Sequence, residues 1–184
     1  MLSSPRLCRH CDDKLEPNPV LQFSANATLL IIGQAPGLAA HQSGIAFNDP
    51  SGRRLRQWLG ITNGCFYDPQ QVAIVPMGFC YPGKGKSGDN PPDPRCAPRW
   101  HHQLLEQMSQ LKLTILLGQH AQRHYLQGFS TTTAAVQQWQ QHLAVGVMPL
   151  PHPSPRNNIW LKRNPWFEQQ LLPPLQQAVA AALG

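Results

Sequence analysis

The chain has 184 residues, 41% of them hydrophobic and 13% charged, which fits one folded domain with a substantial core. Its net charge of +6 reflects scarce acids more than abundant bases and favours a polyanionic partner. The longest apolar runs are too short to span a bilayer, and the polar first residues do not read as a signal peptide. A monomer located in the cytoplasm is the expectation.

Residues 1–28 are rich in turns. Leu29 to Ile32 is a continuous apolar run, the pattern of a buried parallel strand, and Gly33-Gln34-Ala35-Pro36-Gly37 follows it directly. Ser51 is placed to cap a helix through Arg53, Leu55, Trp58 and Leu59. Val72 to Val75 reads as a second strand, and residues 81–98 as a loop dense in Pro, Gly and Lys. Helical spacing runs from Arg99 to Leu111, and Leu113 to Leu117 is a third strand. Helices are expected over Gln119–Leu126 and Ala134–His142, then a strand over Val145–Met148. His152-Pro153-Ser154-Pro155 follows closely. A last helix runs from Pro165 to Leu183, with Pro173 and Pro174 kinking or splitting it. Strands alternating with helices predict an α/β fold: a three-layer α/β/α sandwich around a mostly parallel four-stranded sheet. Ligands of such sheets bind at the carboxyl ends of the strands. Both Pro-containing loops sit there, so one pocket would draw on both halves of the chain.

Five cysteines occur: Cys8, Cys11, Cys65, Cys80 and Cys96. Cys8 and Cys11 form a C-x2-C pair, which sets two thiolates on one tight turn. Four thiolates satisfy either an iron–sulfur cluster or zinc. Cys65 stands outside the pattern and reads as a core residue.

The two loop motifs resemble the active-site motifs of the uracil-DNA glycosylase superfamily. The cysteine pattern resembles that of its bacterial iron–sulfur branch, in order and in spacing. The resemblance covers nearly the whole chain. It implies a single glycosylase-like domain over residues 1–184. Cys8, Cys11, Cys80 and Cys96 would hold a 4Fe-4S cluster, or alternatively a structural zinc. The cluster would tie segment 1–28 to the 80–96 loop.

The resemblance also implies a site. Gly33, Gln34, Ala35, Pro36 and Gly37 would border the base. Phe47 looks like the platform on which an extruded base stacks. Asp49, in Asp49-Pro50-Ser51-Gly52, would activate water, and His152 would stabilise charge on the departing base. His41, in an Ala-Ala-His echo of a related branch, would line the pocket. Ser154, Pro155, Arg156 and Asn157 would contact DNA, with Arg156 near the position of the wedge that fills the gap left by a flipped base. The chain departs from the branch at two places. Gln34 stands where the branch has Glu, which moves the basic role to Asp49. Pro76 and Met77 stand where it reads the uracil edge with Asn.

The implied activity is that of a monofunctional DNA glycosylase that removes a deaminated base. The alternatives are a DNA-binding member without catalysis, and an enzyme acting on free nucleosides or nucleotides.

Overall fold

The computed structural model describes residues 4–184. Four parallel strands form the central sheet: β1 (Leu29–Ile32), β2 (Val72–Ile74), β5 (Leu113–Leu117) and β6 (Val147–Leu150). Their order is β2-β1-β5-β6. The register sets Leu29 beside Val72 and Leu113, and Leu117 beside Leu150. All four residues of β1 are buried, because both faces of the sheet are covered.

Alternation sorts the core into two layers. Leu29, Ile31 and Ile115 face Leu55 and Trp58 of α2 (Pro50–Leu59) and Leu175 and Val179 of α9 (Leu172–Leu183). Leu30, Ile32 and Leu116 face Trp100 and Leu104 of α4 (Cys96–Leu105) and Ala121 of α5 (Gly118–Tyr125). The expected three-layer sandwich is therefore the observed one. Shorter helices fill the edges: α1 (Leu38–Ser43), α3 (Asn63–Phe66), α6 (Thr132–Gln137), α7 (Trp139–Leu143) and α8 (Asn158–Arg163). No helix among the described residues is long and apolar enough to cross a membrane.

Several boundaries differ from the sequence reading. The last strand starts at Val147, not Val145. Gly146 takes a left-handed turn with φ of 75° and leaves Val145 exposed. The strand also runs on through Pro149, since β6 is an edge strand and tolerates proline there. Ser51 lies inside α2 rather than capping it. The cap is Asp49, whose side chain accepts from the Gly52 N–H at 2.8 Å. The helix placed at 99–111 begins at Cys96 and ends at Leu105, giving way to successive turns. The expected 134–142 helix is divided at Gln138. Pro173 and Pro174 fall in the first turn of α9, where a missing N–H costs nothing, and a π turn over Phe167–Leu171 leads into it. The 81–98 loop contains a small antiparallel hairpin, β3 (Lys84–Gly85) and β4 (Gly88–Asp89).

Candidate active site

β1 connects to β2 on one side, and the chain then crosses to β5 on the other. The strand order reverses there, and such a switch point opens a crevice at the carboxyl edge. A cavity of about 430 Å³ occupies that edge. The loop after β1 lines it from Gly33 to Gly37, and the loop after β6 adds His152, Ser154, Arg156 and Asn157. Phe47, Asp49 and Pro76 complete the group of anticipated residues that share the cavity.

Phe47 is the only non-glycine residue among those described with positive φ, at 55°. A bulky residue held there is strained and persists only where its surroundings over-determine it. They do so here. The Tyr67 hydroxyl donates to the Ala46 and Phe47 carbonyls at 3.2 and 3.3 Å. The Phe47 ring meets Phe66 edge-on at 6.1 Å. Gly52 lies so close beneath that a Cβ on it would stand 1.8 Å from the Phe47 carbonyl oxygen. A Cβ on Gly33 would approach the Phe47 ring to 3.2 Å. Two glycines thus let the ring rest on the strand-end loop.

Asp49 both caps a helix and lines the cavity. One carboxylate oxygen takes the Gly52 N–H. This fixes the side chain while the second oxygen stays clear of the cap. His152 is reached across the same cavity. Burial pushes its pKa down, and the nearby Asp49 charge partly opposes that shift. Its Nδ1 accepts from the Ser154 N–H at 3.3 Å, so in the neutral ring the proton sits on Nε2. Asn157 secures the turn by donating from Nδ2 to the His152 carbonyl at 2.7 Å. Arg54 binds the Ser154 carbonyl at 3.1 Å and Asn158 Oδ1 at 2.8 Å, joining α2 to this loop.

A deeper layer holds the floor. His101 is buried, with Nε2 donating to the Pro76 carbonyl at 2.9 Å and Nδ1 against the Tyr125 hydroxyl. Burial pushes its pKa down to about 4, so it is a neutral donor. Gln122, also buried, donates to the Leu116 and Leu150 carbonyls at 3.1 and 2.8 Å and locks the strand end that precedes His152.

Three anticipated residues do not line the cavity. Met77 is buried, and its backbone N–H binds the Gly33 carbonyl at 2.9 Å, so it supports the loop from behind. His41 turns toward Glu16, at 3.5 Å, and toward the Tyr81 ring. Pro155 is exposed at the start of a short 3-10 turn, Pro155–Asn157. Arg156, expected near a wedge position, donates to the Ser87 carbonyl at 2.8 Å and so bridges to the hairpin. That hairpin region brings in residues the sequence reading missed: Pro82, Asp89 and Asn90. Asp49 is therefore not the sole carboxylate here.

Cys8, Cys11, Cys80 and Cys96 all line a second, small pocket on the far side of the Gly78–Phe79 segment. Cys96 accepts the Phe79 N–H at 3.3 Å. Burial pushes the Cys80 thiol up, and a hydrogen bond from the Asn18 backbone opposes this. Arg95 pairs with Asp13 at 3.0 Å and Asp93 at 2.8 Å, joining segment 4–28 to the 80–96 region. Among the described residues no three His, Cys, Asp or Glu side chains are grouped so as to hold a single metal ion.

The strand order and the cavity at the switch point are those of a parallel α/β sheet with its site at the carboxyl edge. The chain belongs to the uracil-DNA glycosylase superfamily: the model of that family matches residues 21–176, most of the chain.

Proposed function

We propose that this protein is a monofunctional DNA glycosylase that takes an extruded, deaminated base into the cavity and hydrolyses its N-glycosidic bond. The observation that carries this reading is the convergence of Phe47, Asp49 and His152 on one cavity, with the Asp49 and His152 side chains held by backbone N–H groups and the Phe47 ring packed on Phe66. The base stacks on Phe47, whose ring gives sequence-tolerant attraction. As the bond between C1′ and the base nitrogen breaks, its electron pair moves onto the base. The His152 Nε2–H donates to the base oxygen where that charge collects. The sugar left behind has oxocarbenium character, and the Asp49 carboxylate stabilises it. Water adds to C1′ and gives its proton to the free oxygen of Asp49. The products are the free base and an abasic site. No lysine among the described residues lines the cavity, so hydrolysis alone is assigned. Ser154 and Asn157 lie where the DNA backbone would enter.

We infer that Cys8, Cys11, Cys80 and Cys96, which line one pocket, would hold a 4Fe-4S cluster, with a structural zinc as the alternative. When bound, the cluster would supply a structural tie between segment 1–28 and the 80–96 region. Elemental analysis and visible absorbance of anaerobically purified protein, compared with Cys96→Ser, test this; stoichiometric zinc without iron would overturn it.

The activity is tested on short oligonucleotides carrying uracil, hypoxanthine or xanthine. Heat or alkali reveals abasic sites, with Asp49→Asn alongside. Lesion-dependent cleavage lost in the variant is the expected result. No cleavage of any lesion, in single or double strand, would leave binding as the role, in keeping with Gln34, which lines the cavity but cannot act as a base.

A further inference from the structure

The cavity holds a carboxylate that the mechanism above leaves without a task. Asp89 ends the β3–β4 hairpin, and its two oxygens have different surroundings. Oδ1 accepts from the Tyr81 hydroxyl at 3.3 Å. Oδ2 comes within 3.7 Å of the point where a Cβ on Gly37 would stand. It therefore lies within contact distance of the strand-end loop.

The hairpin is pinned on both sides of Asp89. Arg156 donates to the Ser87 carbonyl at 2.8 Å. Its guanidinium covers Gly88, where a Cβ would fall 1.7 Å from Nη1. On the other side, the Asn90 N–H binds the Gly83 carbonyl at 2.9 Å. Asn90 Nδ2 donates to the Pro82 carbonyl at 3.0 Å. Asn90 is thus occupied in closing the loop, while Oδ2 of Asp89 is presented to the cavity.

A carboxylate accepts hydrogen bonds and donates none. In a cavity built for part of a polyanion it repels phosphate and any facing lone pair. It is favourable only against a hydrogen-bond donor, and the donor a base offers is an N–H. We propose that Asp89 is a specificity-determining residue, accepting the ring N–H of a base that carries a lactam edge, N–H beside C=O. Deamination of cytosine or adenine creates that edge: it replaces an amino group by a carbonyl and puts a proton on the neighbouring ring nitrogen. Uracil, hypoxanthine and xanthine offer the N–H. Cytosine and adenine offer a lone pair at the same ring position, so acceptor would face acceptor. One carboxylate on the hairpin thus separates uracil from cytosine and hypoxanthine from adenine, but not xanthine from guanine, which already carries a ring N–H beside a carbonyl. It does not separate uracil from thymine, which differ only by a methyl group. This inference rests on the glycosylase reading for its substrate, but its test does not.

Binding of the free bases uracil, hypoxanthine, cytosine and adenine is measured by calorimetry or ligand-observed NMR, with wild type and Asp89→Asn. Wild type is expected to prefer each lactam base over its amino parent by about 10-fold or more, the scale of one well-made base contact. In Asp89→Asn the preference should collapse toward unity, because an amide can turn and donate to a lone pair. Asp89→Glu should restore part of it. The same proteins are then assayed for excision. If excision occurs while the preference is the same in wild type and Asp89→Asn, the inference fails and the glycosylase reading stands. If nothing is excised but the preference is present and lost in the variant, the glycosylase reading fails and the inference stands. A loss of excision equal on all lesions, with base preference intact, would assign Asp89 to water or to the hairpin and overturn the proposal. A wild type that neither binds nor excises any of these bases overturns both.

Discussion

One wall of the cavity grows out of the sheet; the other is a short hairpin laid beside it. The first wall comprises the loop after β1, Phe47, the capped start of α2, and His152 after β6. Each of its groups is fixed by buried or half-buried neighbours: Tyr67 and Gly52 around Phe47, Gln122 before His152, and His101 beneath Pro76. The second wall, Pro82 to Asn90, has almost no buried side chains and is held by a few polar bonds, with Arg156 the main tie. Chemistry that needs placement to a fraction of an ångström belongs on the first kind of support. Recognition that tolerates adjustment can sit on the second.

The comparison is broken most severely if the chemistry does not reside on the first wall. Asp49→Asn should lower excision by about 10²- to 10⁴-fold, the usual worth of a general base. Asn caps a helix as well as Asp does, so thermal unfolding should hardly move. A matching loss of melting temperature would instead make Asp49 a cap alone.

Acid should loosen the first wall next. His101 is neutral in the fold, with its pKa at about 4. The unfolded chain takes up the same proton near its ordinary value of about 6.5. Between those values the unfolded state binds more protons, so stability falls as pH falls. The full loss is on the order of 3 kcal/mol, reached below about pH 4. Urea unfolding across this window measures it, and His101→Gln should flatten the slope.

Gly52→Ala tests the support under Phe47. Its Cβ would collide with backbone, not with a yielding side chain, so a loss of about 1–3 kcal/mol is expected, with base binding weakened alongside. Full stability in this variant would mean that the tight seat of Phe47 is unimportant.

The smallest effect belongs to the second wall. Arg156→Ala removes an exposed tie and should cost under about 1 kcal/mol of stability. Selectivity between hypoxanthine and adenine should nevertheless decline several-fold as the hairpin loosens. An unchanged selectivity would show that the hairpin holds its place without Arg156.

The sequence made the first wall legible and hid the second, for physical reasons. Buried parallel strands are continuous apolar runs, and Leu29–Ile32 ends abruptly in Gly and Pro, which marks a loop at a sheet edge. The same signal led to His152. Asp89 carried no such mark. Its hairpin strands are two residues each, built of Gly, Lys and Asp, without the alternation that reveals a strand, and they reach the cavity only through the tertiary fold. Arg156 was noticed for its place in the second motif, but its partner Ser87 lies 69 positions away in sequence. Met77 and His41 stand outside the cavity lining for the opposite reason. Their neighbours in sequence line the cavity, whereas the bend after β2 and the short helix α1 aim these two elsewhere.

The order of the sheet has a consequence for the newborn chain. β6 is the edge strand and pairs only with β5, and His152 follows it. Chains emerge from the ribosome amino end first. Phe47 and Asp49 are therefore synthesised long before His152, and on the proposed mechanism the three would meet in one cavity only once β6 has joined the sheet.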